Sequence, residues 1–253
     1  IAAAAWPADY VQALDADAAA ALSGVASPGP AWWFPGGGWV NPSALVRHTL
    51  ADSGAVVRTD CRVERLQRRG ARWLACDERG QPWAEADLVV LANAADAARL
   101  APAAGWRIGR SRGQVTHLPA ELVATVPRAR LPLARNGYVI PLPDGSLLCG
   151  ATHSIDDDEP ALRARDHAHN LAVLRRLTGT APSLPDAGVL PGRVGWRCHT
   201  DDRLPLVGAL PADESLIAAG ASRLAQPRHV PREAGLFVLT ALGSRGITSA
   251  SLA

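Results

Sequence analysis

The stretch Ala86-Asp-Leu-Val-Val-Leu-Ala-Asn-Ala94 is an almost unbroken apolar run. A strand that faces solvent on one side alternates apolar and polar residues. A continuous run belongs to a strand covered on both faces, and such strands are typically parallel. A second apolar stretch, Leu236 to Leu242, leads into a turn carrying Gly243 and Gly246, where a helix is expected to begin. Without a Cβ, a turn lets backbone N–H groups approach a ligand closely. The N–H groups that open a helix are unpaired and favour negative charge. Strand, glycine turn and helix start together mark a place for an anionic or electron-rich cofactor. The same pattern also serves plain strand-to-helix connections.

The remaining segments supply helices and antiparallel strands. Residues 6–24 read as a helix rich in Ala and Leu. Asn41 as N-cap, Pro42 at the first helical position, an apolar stripe of Leu45, Val46, Thr49 and Leu50, and Gly54 as stop define another. Strands are expected at about 55–60, 62–67, 72–77 and 83–92, with Glu78-Arg79-Gly80 as a turn. Gly113 to Leu118 and Gly137 to Pro141 read as short strands, and Pro143-Asp144-Gly145 as a hairpin turn into Leu147 to Thr152. A helix over about 159–177, ending at Gly179, precedes a strand from Arg193 to Thr200. The expected fold class is mixed α/β (α+β), with a buried parallel-type strand and an attached antiparallel sheet.

Bulk properties exclude more than they assign. No run of about 18 apolar residues is present, so no membrane helix is expected. All 26 basic residues are arginine, against 24 acidic ones. A formal charge of +2 gives no general field for polyanions. Arginine still pairs bidentately with carboxylate and phosphate, which keeps acidic substrates and RNA backbone open as partners. Four widely spaced cysteines read as reduced, buried residues of a cytoplasmic protein, and the seven histidines form no metal signature. His167 and His169 are expected at the surface of their helix.

Five blocks, in order, resemble the D-amino-acid-oxidase-like family of FAD-dependent amine oxidases. They are Gly38-Trp-Val-Asn-Pro42 with its helix, Ala86 to Asn93, Gly137-Tyr-Val-Ile-Pro141 with Gly150-Ala-Thr152, Gly195 to Gly208, and Gly243-Ser-Arg-Gly246. Within that family, Gly37-Gly-Trp39, Arg112-Gly-Gln-Val-Thr-His117 and Ala241 to Gly246 look like the oxidase half of bifunctional proteins that build 5-methylaminomethyl-2-thiouridine in tRNA. The resemblance implies FAD as cofactor, no metal and no membrane, and the tRNA wobble uridine as partner. It also implies oxidative removal of a carboxymethyl group, and a separate methyltransferase domain of the same polypeptide. The family opens on a Gly-x-Gly-x-x-Gly turn that holds the FAD pyrophosphate. That motif does not occur here, so the sequence is expected to be an interior piece of an oxidase domain, with the N-terminal pyrophosphate-binding unit and part of the C-terminal helix outside it.

The resemblance further implies a division of labour. About 31–110 and 190–253 would form the FAD side, and about 111–190 the substrate sheet. Arg197 would bind the substrate carboxylate, with Tyr138 adding a hydroxyl; a structural ion pair of Arg197 with Asp201 or Asp202, and a packing role for Tyr138, stay open. Gly243, Ser244, Arg245, Gly246, Ile247 and Thr248 would line the flavin. Val63 would meet the adenine through its main chain, and Ala92 and Asn93 would sit beside the cofactor at the end of the buried strand. An oxidase of a free small amine, such as glycine, sarcosine or a D-amino acid, and a non-catalytic remnant are the alternatives.

Overall fold

The computed structural model describes residues 6–102, 105–124, 126–180, 190–212 and 226–250. Its strands are β1 (Gln12–Leu14), β2 (Ala31–Trp33), β3 (Arg65–Arg69), β4 (Arg72–Cys76), β5 (Pro82–Ala86), β6 (Val89–Leu91) and β7 (Ile108–Leu118). They continue with β8 (Leu133–Ala134), β9 (Tyr138–Pro141), β10 (Leu147–Gly150), β11 (Ser154–Ile155), β12 (Gly192–Thr200), β13 (Leu206–Pro211) and β14 (Arg232–Thr240). The α-helices are α1 (Ala16–Ser23), α2 (Pro42–Ser53), α3 (Ala97–Leu100), α4 (Ala120–Val123), α5 (Ala164–Thr178) and α6 (Gly246–Ser249). The chain divides into two compact units, one of Ile1–Val46 with Arg112–Gly195, the other of Arg47–Ser111 with Trp196–Ala253. The mixed α/β class holds.

In the first unit, β7, β10, β9 and β8 form an antiparallel sheet, with β11 and β12 also on β7. Helix α5 packs on this sheet, burying Val173, Leu174 and Leu177 against Leu118, Val139, Leu147 and Cys149. Burial pushes the Cys149 thiol up to about 12, so it stays protonated and inert. The helix ends on Gly179 in the left-handed conformation, as expected. It begins at Ala164 rather than near 159, because Arg112 takes the carbonyls of Glu159 and Ala161 out of any helical ladder. The expected helix over 6–24 is shortened in the same way by a distant partner. Gln12–Leu14 pairs with Ala31–Trp33, and α1 starts only after Asp15, whose carboxylate caps Ala18 N–H at 2.8 Å.

Between α5 and β7 lies a polar layer. Arg112, Gln114 and Thr116 alternate along β7, so their side chains share one face, and all three are fully buried. They meet Asp166, His167 and Asn170 of α5. Arg112 Nη1 donates to Asp166 Oδ2 at 2.5 Å and Nη2 to Gln114 Oε1 at 3.2 Å. Asn170 Nδ2 donates to Thr116 Oγ1 at 3.1 Å, and that oxygen lies 2.8 Å from His167 Nδ1. The expectation of a surface His167 is therefore corrected: its ring is fully buried. Helical spacing alone did not say which face of α5 meets the sheet.

Burial lowers the His167 pKa, and the neighbouring Asp166 carboxylate opposes this only in part. The folded state thus holds a neutral ring where the unfolded chain takes up a proton near 6.5. Its contribution to stability is complete above that value and is lost as pH falls through it. The urea midpoint should drop between about pH 8 and about pH 5.5, and His167→Gln should flatten that dependence. An unchanged slope in the variant would assign the pH effect to another group.

In the second unit, β3, β4 and β5 form an antiparallel meander, and β13, β14 and β6 a second sheet in which β14 and β6 are parallel. The expected single strand over 83–92 is two strands in two sheets, and residues 55–60 form no strand. The break falls at Asp87, where Gly235 of β14 passes so closely that a Cβ would lie 2.4 Å from the Asp87 carbonyl oxygen. The apolar run predicted a parallel strand covered on both faces; the parallel pairing holds, and the coverage does not. Leu91 is buried with Trp73, Leu210, Leu236 and Val238, whereas Leu88 and Val90 are about half exposed (53% and 51%). All four cysteines are free thiols; Cys76 and Cys149 are buried, and Cys61 and Cys198 partly so. Among the described residues no helix is long and apolar enough to cross a membrane.

Candidate functional site

Because β6 and β14 run parallel in register, Leu91 opposite Val238, both chains leave the sheet at the same end. Two connections emerge there side by side, Ala92-Asn93-Ala94 and Ala241-Leu242-Gly243. Thr240 Oγ1 ties them by donating to the Ala94 carbonyl at 2.8 Å. Ala94 and Ala241 both adopt φ near +56°, a conformation that costs a residue with a Cβ of order 1 kcal/mol or more. Ala92, Asn93, Ser244, Arg245, Ile247 and Thr248 are exposed around this edge, although the strands feeding it end on buried Leu91 and Thr240. A Cβ built on Gly243, where φ is +60°, would meet nothing within 4 Å. Ligands of open α/β sheets bind beyond the carboxyl ends of parallel strands. The donor set here is backbone and small side chains with an apolar Ile247, and it carries no cluster of metal ligands. It fits a flat heteroaromatic group such as a flavin.

Val63 lies just before β3, and its carbonyl accepts from Arg99 Nη2 at 2.9 Å. That bond uses one of the two lone pairs of the carbonyl. Arg197 lies on β12, half-buried. Its neighbour Cys198 approaches Thr240 Oγ1 at 4.0 Å, so the two strands meet beside the edge just described. Side chains alternate along a strand, which places Arg197 on the face opposite Cys198. The carboxylates that a structural ion pair would use each have other partners. Asp201 lies 3.9 Å from Arg107, and Asp202 accepts from Thr200 Oγ1 and Leu204 N–H, which hold its pKa below the usual carboxylate range.

Tyr138 opens β9 in the first unit, opposite Gly150 of β10. Val139 beside it is fully buried toward α5, so Tyr138 projects from the other face of that sheet, half-exposed. The second unit thus gathers Ala92, Asn93 and the 243–248 turn, with Arg197 on a neighbouring strand, and the first unit carries Tyr138. Sequence reasoning missed the two strained alanines and the Thr240 link, because alanine carries no turn signal. It also left the function of the polar face of β7 unread.

The model of the FAD dependent oxidoreductase family matches residues 1–253. Among curated relatives, the tRNA 5-methylaminomethyl-2-thiouridine biosynthesis bifunctional protein MnmC of Methylibium petroleiphilum is 44% identical over 252 residues, covering 96% of this chain and 38% of that protein. The protein of the same name from Paraburkholderia xenovorans is 39% identical, covering 100% and 39%. The chain thus spans well under half the length of the curated relatives it matches. Among solved structures, glycine oxidase from Geobacillus kaustophilus superposes with a TM-score of 0.71 at 23% identity, over 96% of this chain and 60% of that one. The FAD-bound L-α-glycerophosphate oxidase from Mycoplasma pneumoniae gives 0.70 at 14%, over 98% and 63%. These two likenesses establish the fold.

Proposed function

The chain belongs to the FAD-dependent oxidoreductase family, and from that premise we propose that it forms part of an oxidase acting on the wobble uridine of tRNA. The reaction is removal of the carboxymethyl group from carboxymethylaminomethyl-(2-thio)uridine, leaving the aminomethyl base. The observation that carries this reading is the 44% identity, along almost the whole chain, to a protein named for 5-methylaminomethyl-2-thiouridine biosynthesis in tRNA. A methyltransferase step, implied by the word bifunctional in that name, would belong to another part of the polypeptide, and the site of action would be the cytoplasm.

Bound FAD supplies a hydride acceptor. The chain's own residues do the rest. The fork of Arg197 holds the substrate carboxylate through two charge-assisted hydrogen bonds, a geometry that an ammonium cannot reproduce. Anchored in this way, the methylene between carboxylate and amine would be presented to the flavin, which the backbone of Gly243 to Gly246 and the Ile247 side chain would hold. The amine must be neutral to give up hydride from that carbon. The substrate is then an iminium of glyoxylate; water adds to it, the C–N bond breaks, and aminomethyl-uridine and glyoxylate separate.

Anaerobic mixing of the full-length, flavin-loaded protein with tRNA carrying the carboxymethylaminomethyl group should bleach the flavin absorbance. Free glycine and sarcosine should leave it nearly unchanged. Bleaching by sarcosine and none by tRNA would move the assignment to a small-amine oxidase. Failure of every amine would point to a non-catalytic domain.

A further inference from the structure

A cleft of about 590 Å³ opens in the first unit, lined by Gly24, Trp39, Arg128, Arg130, Pro141 and Pro143 among others. Its size suits a small ligand or part of a larger one. Its cations are held outward by their surroundings. Ala129 between them is buried (2% exposed), whereas Arg128 and Arg130 are both exposed. Gly24, with φ +78° at the end of α1, leaves room for them: a Cβ there would lie 3.0 Å from the Arg128 carbonyl and 3.1 Å from Arg130 Nε. Gly145, in the hairpin turn, does the same for the Arg128 guanidinium, 2.9 Å from where a Cβ would stand.

Neither arginine is paired with a carboxylate among the described residues. From Leu122 to Pro143 the sequence carries three arginines and no acid. The nearby Asp144 carboxylate is occupied by Ser146 N–H at 3.0 Å and Ser146 Oγ at 2.6 Å. Arg130 Nη1 reaches the Ala21 carbonyl at 3.5 Å, which uses one of its five N–H donors. Across the cleft Trp39 leaves 42% of its surface open. A flat, exposed ring beside unpaired guanidinium groups suits a base stacked on the indole with its flanking phosphates on the forks.

The geometry points to this cleft as an RNA-contact site that docks the anticodon arm, an inference that rests on the tRNA reading proposed above.

The test uses the full-length protein and an unmodified, end-labelled anticodon stem-loop RNA, with binding read by anisotropy across a salt series. Arg128→Gln and Arg130→Gln should each weaken binding about 3- to 10-fold. Together they should reduce the slope of log K against log salt by about 1.5, because two phosphates are then no longer neutralised. Trp39→Ala should weaken binding about 5- to 50-fold with the slope unchanged, and Trp39→Phe should retain most of the affinity. Flavin absorbance and thermal midpoint should match the parent in all five, which separates weakened binding from unfolding. If the parent protein binds the RNA and the variants bind as well as it does, this site is wrong and the tRNA reading stands. If the parent does not bind RNA, both fall. Displacement of bound RNA by polyglutamate with the same dependence on Trp39 would make the cleft a surface for an acidic protein and overturn the assignment.

Discussion

Arg112→Ala is expected to lower the free energy of unfolding by about 3–5 kcal/mol, a large part of the stability of an ordinary domain. The guanidinium is fully buried and donates at four points, to Asp166, Gln114 and the carbonyls of Glu159 and Ala161. Its removal leaves the Asp166 carboxylate buried without its cationic partner, and frees the segment that leads into α5. The two losses share one network, so they are not additive. Arg112→Met with Asp166→Leu should recover much of the deficit, because no buried charge then lacks a partner. Urea unfolding of the single and double variants reads this directly. A loss below about 1 kcal/mol for Arg112→Ala would mean that water enters the layer and that its burial is not maintained in solution.

Arg197→Ala should cut kcat/KM for the carboxymethylated tRNA by about a hundredfold or more, with flavin content unchanged. A charge-assisted hydrogen bond is worth about 1.5–3 kcal/mol, and a bidentate fork makes two. Arg197→Lys keeps the charge but loses the planar pair, so its loss should be smaller, near tenfold. Binding of the whole tRNA should change little, since most of that affinity comes from phosphate contacts elsewhere. The signature is therefore a fall in turnover with nearly constant tRNA affinity. A variant that loses stability instead, with turnover per folded molecule unchanged, would return Arg197 to a structural ion pair.

What the sequence made legible was what neighbouring residues decide. The start of α2 is set by Asn41, whose side chain accepts from Ala44 N–H at 3.1 Å, followed by Pro42. The β9–β10 hairpin follows from Pro143-Asp144-Gly145, and the end of α5 from Gly179. Features set by distant partners were not legible. Gln12–Leu14 became a strand because Ala31–Trp33 pairs with it, against a local alanine-rich preference for helix. The apolar run after Pro82 split because Gly235 passes Asp87 at close range, more than a hundred residues later in the chain.

The candidate site shows the same division. The glycine turn at 243–246 was readable, whereas its place beside Ala92 and Asn93 depends on the register of β14 against β6. The polar layer did leave a trace. Arg112, Gln114 and Thr116 recur with the period of a strand, and Asp166, His167 and Asn170 recur with that of a helix. Two polar faces, one on a strand and one on a helix, are a signal for a buried network only when read together.

The central proposal is that this chain forms part of an oxidase that takes a two-carbon acid off a tRNA base by oxidation at carbon. The most direct measurement is the product balance when the full-length, flavin-loaded protein acts in air on tRNA bearing carboxymethylaminomethyl-uridine. Nucleoside analysis should show the aminomethyl base appearing as the substrate disappears, with glyoxylate and hydrogen peroxide released in equal amounts. Unchanged nucleosides, or loss of the side chain without glyoxylate, would contradict the account.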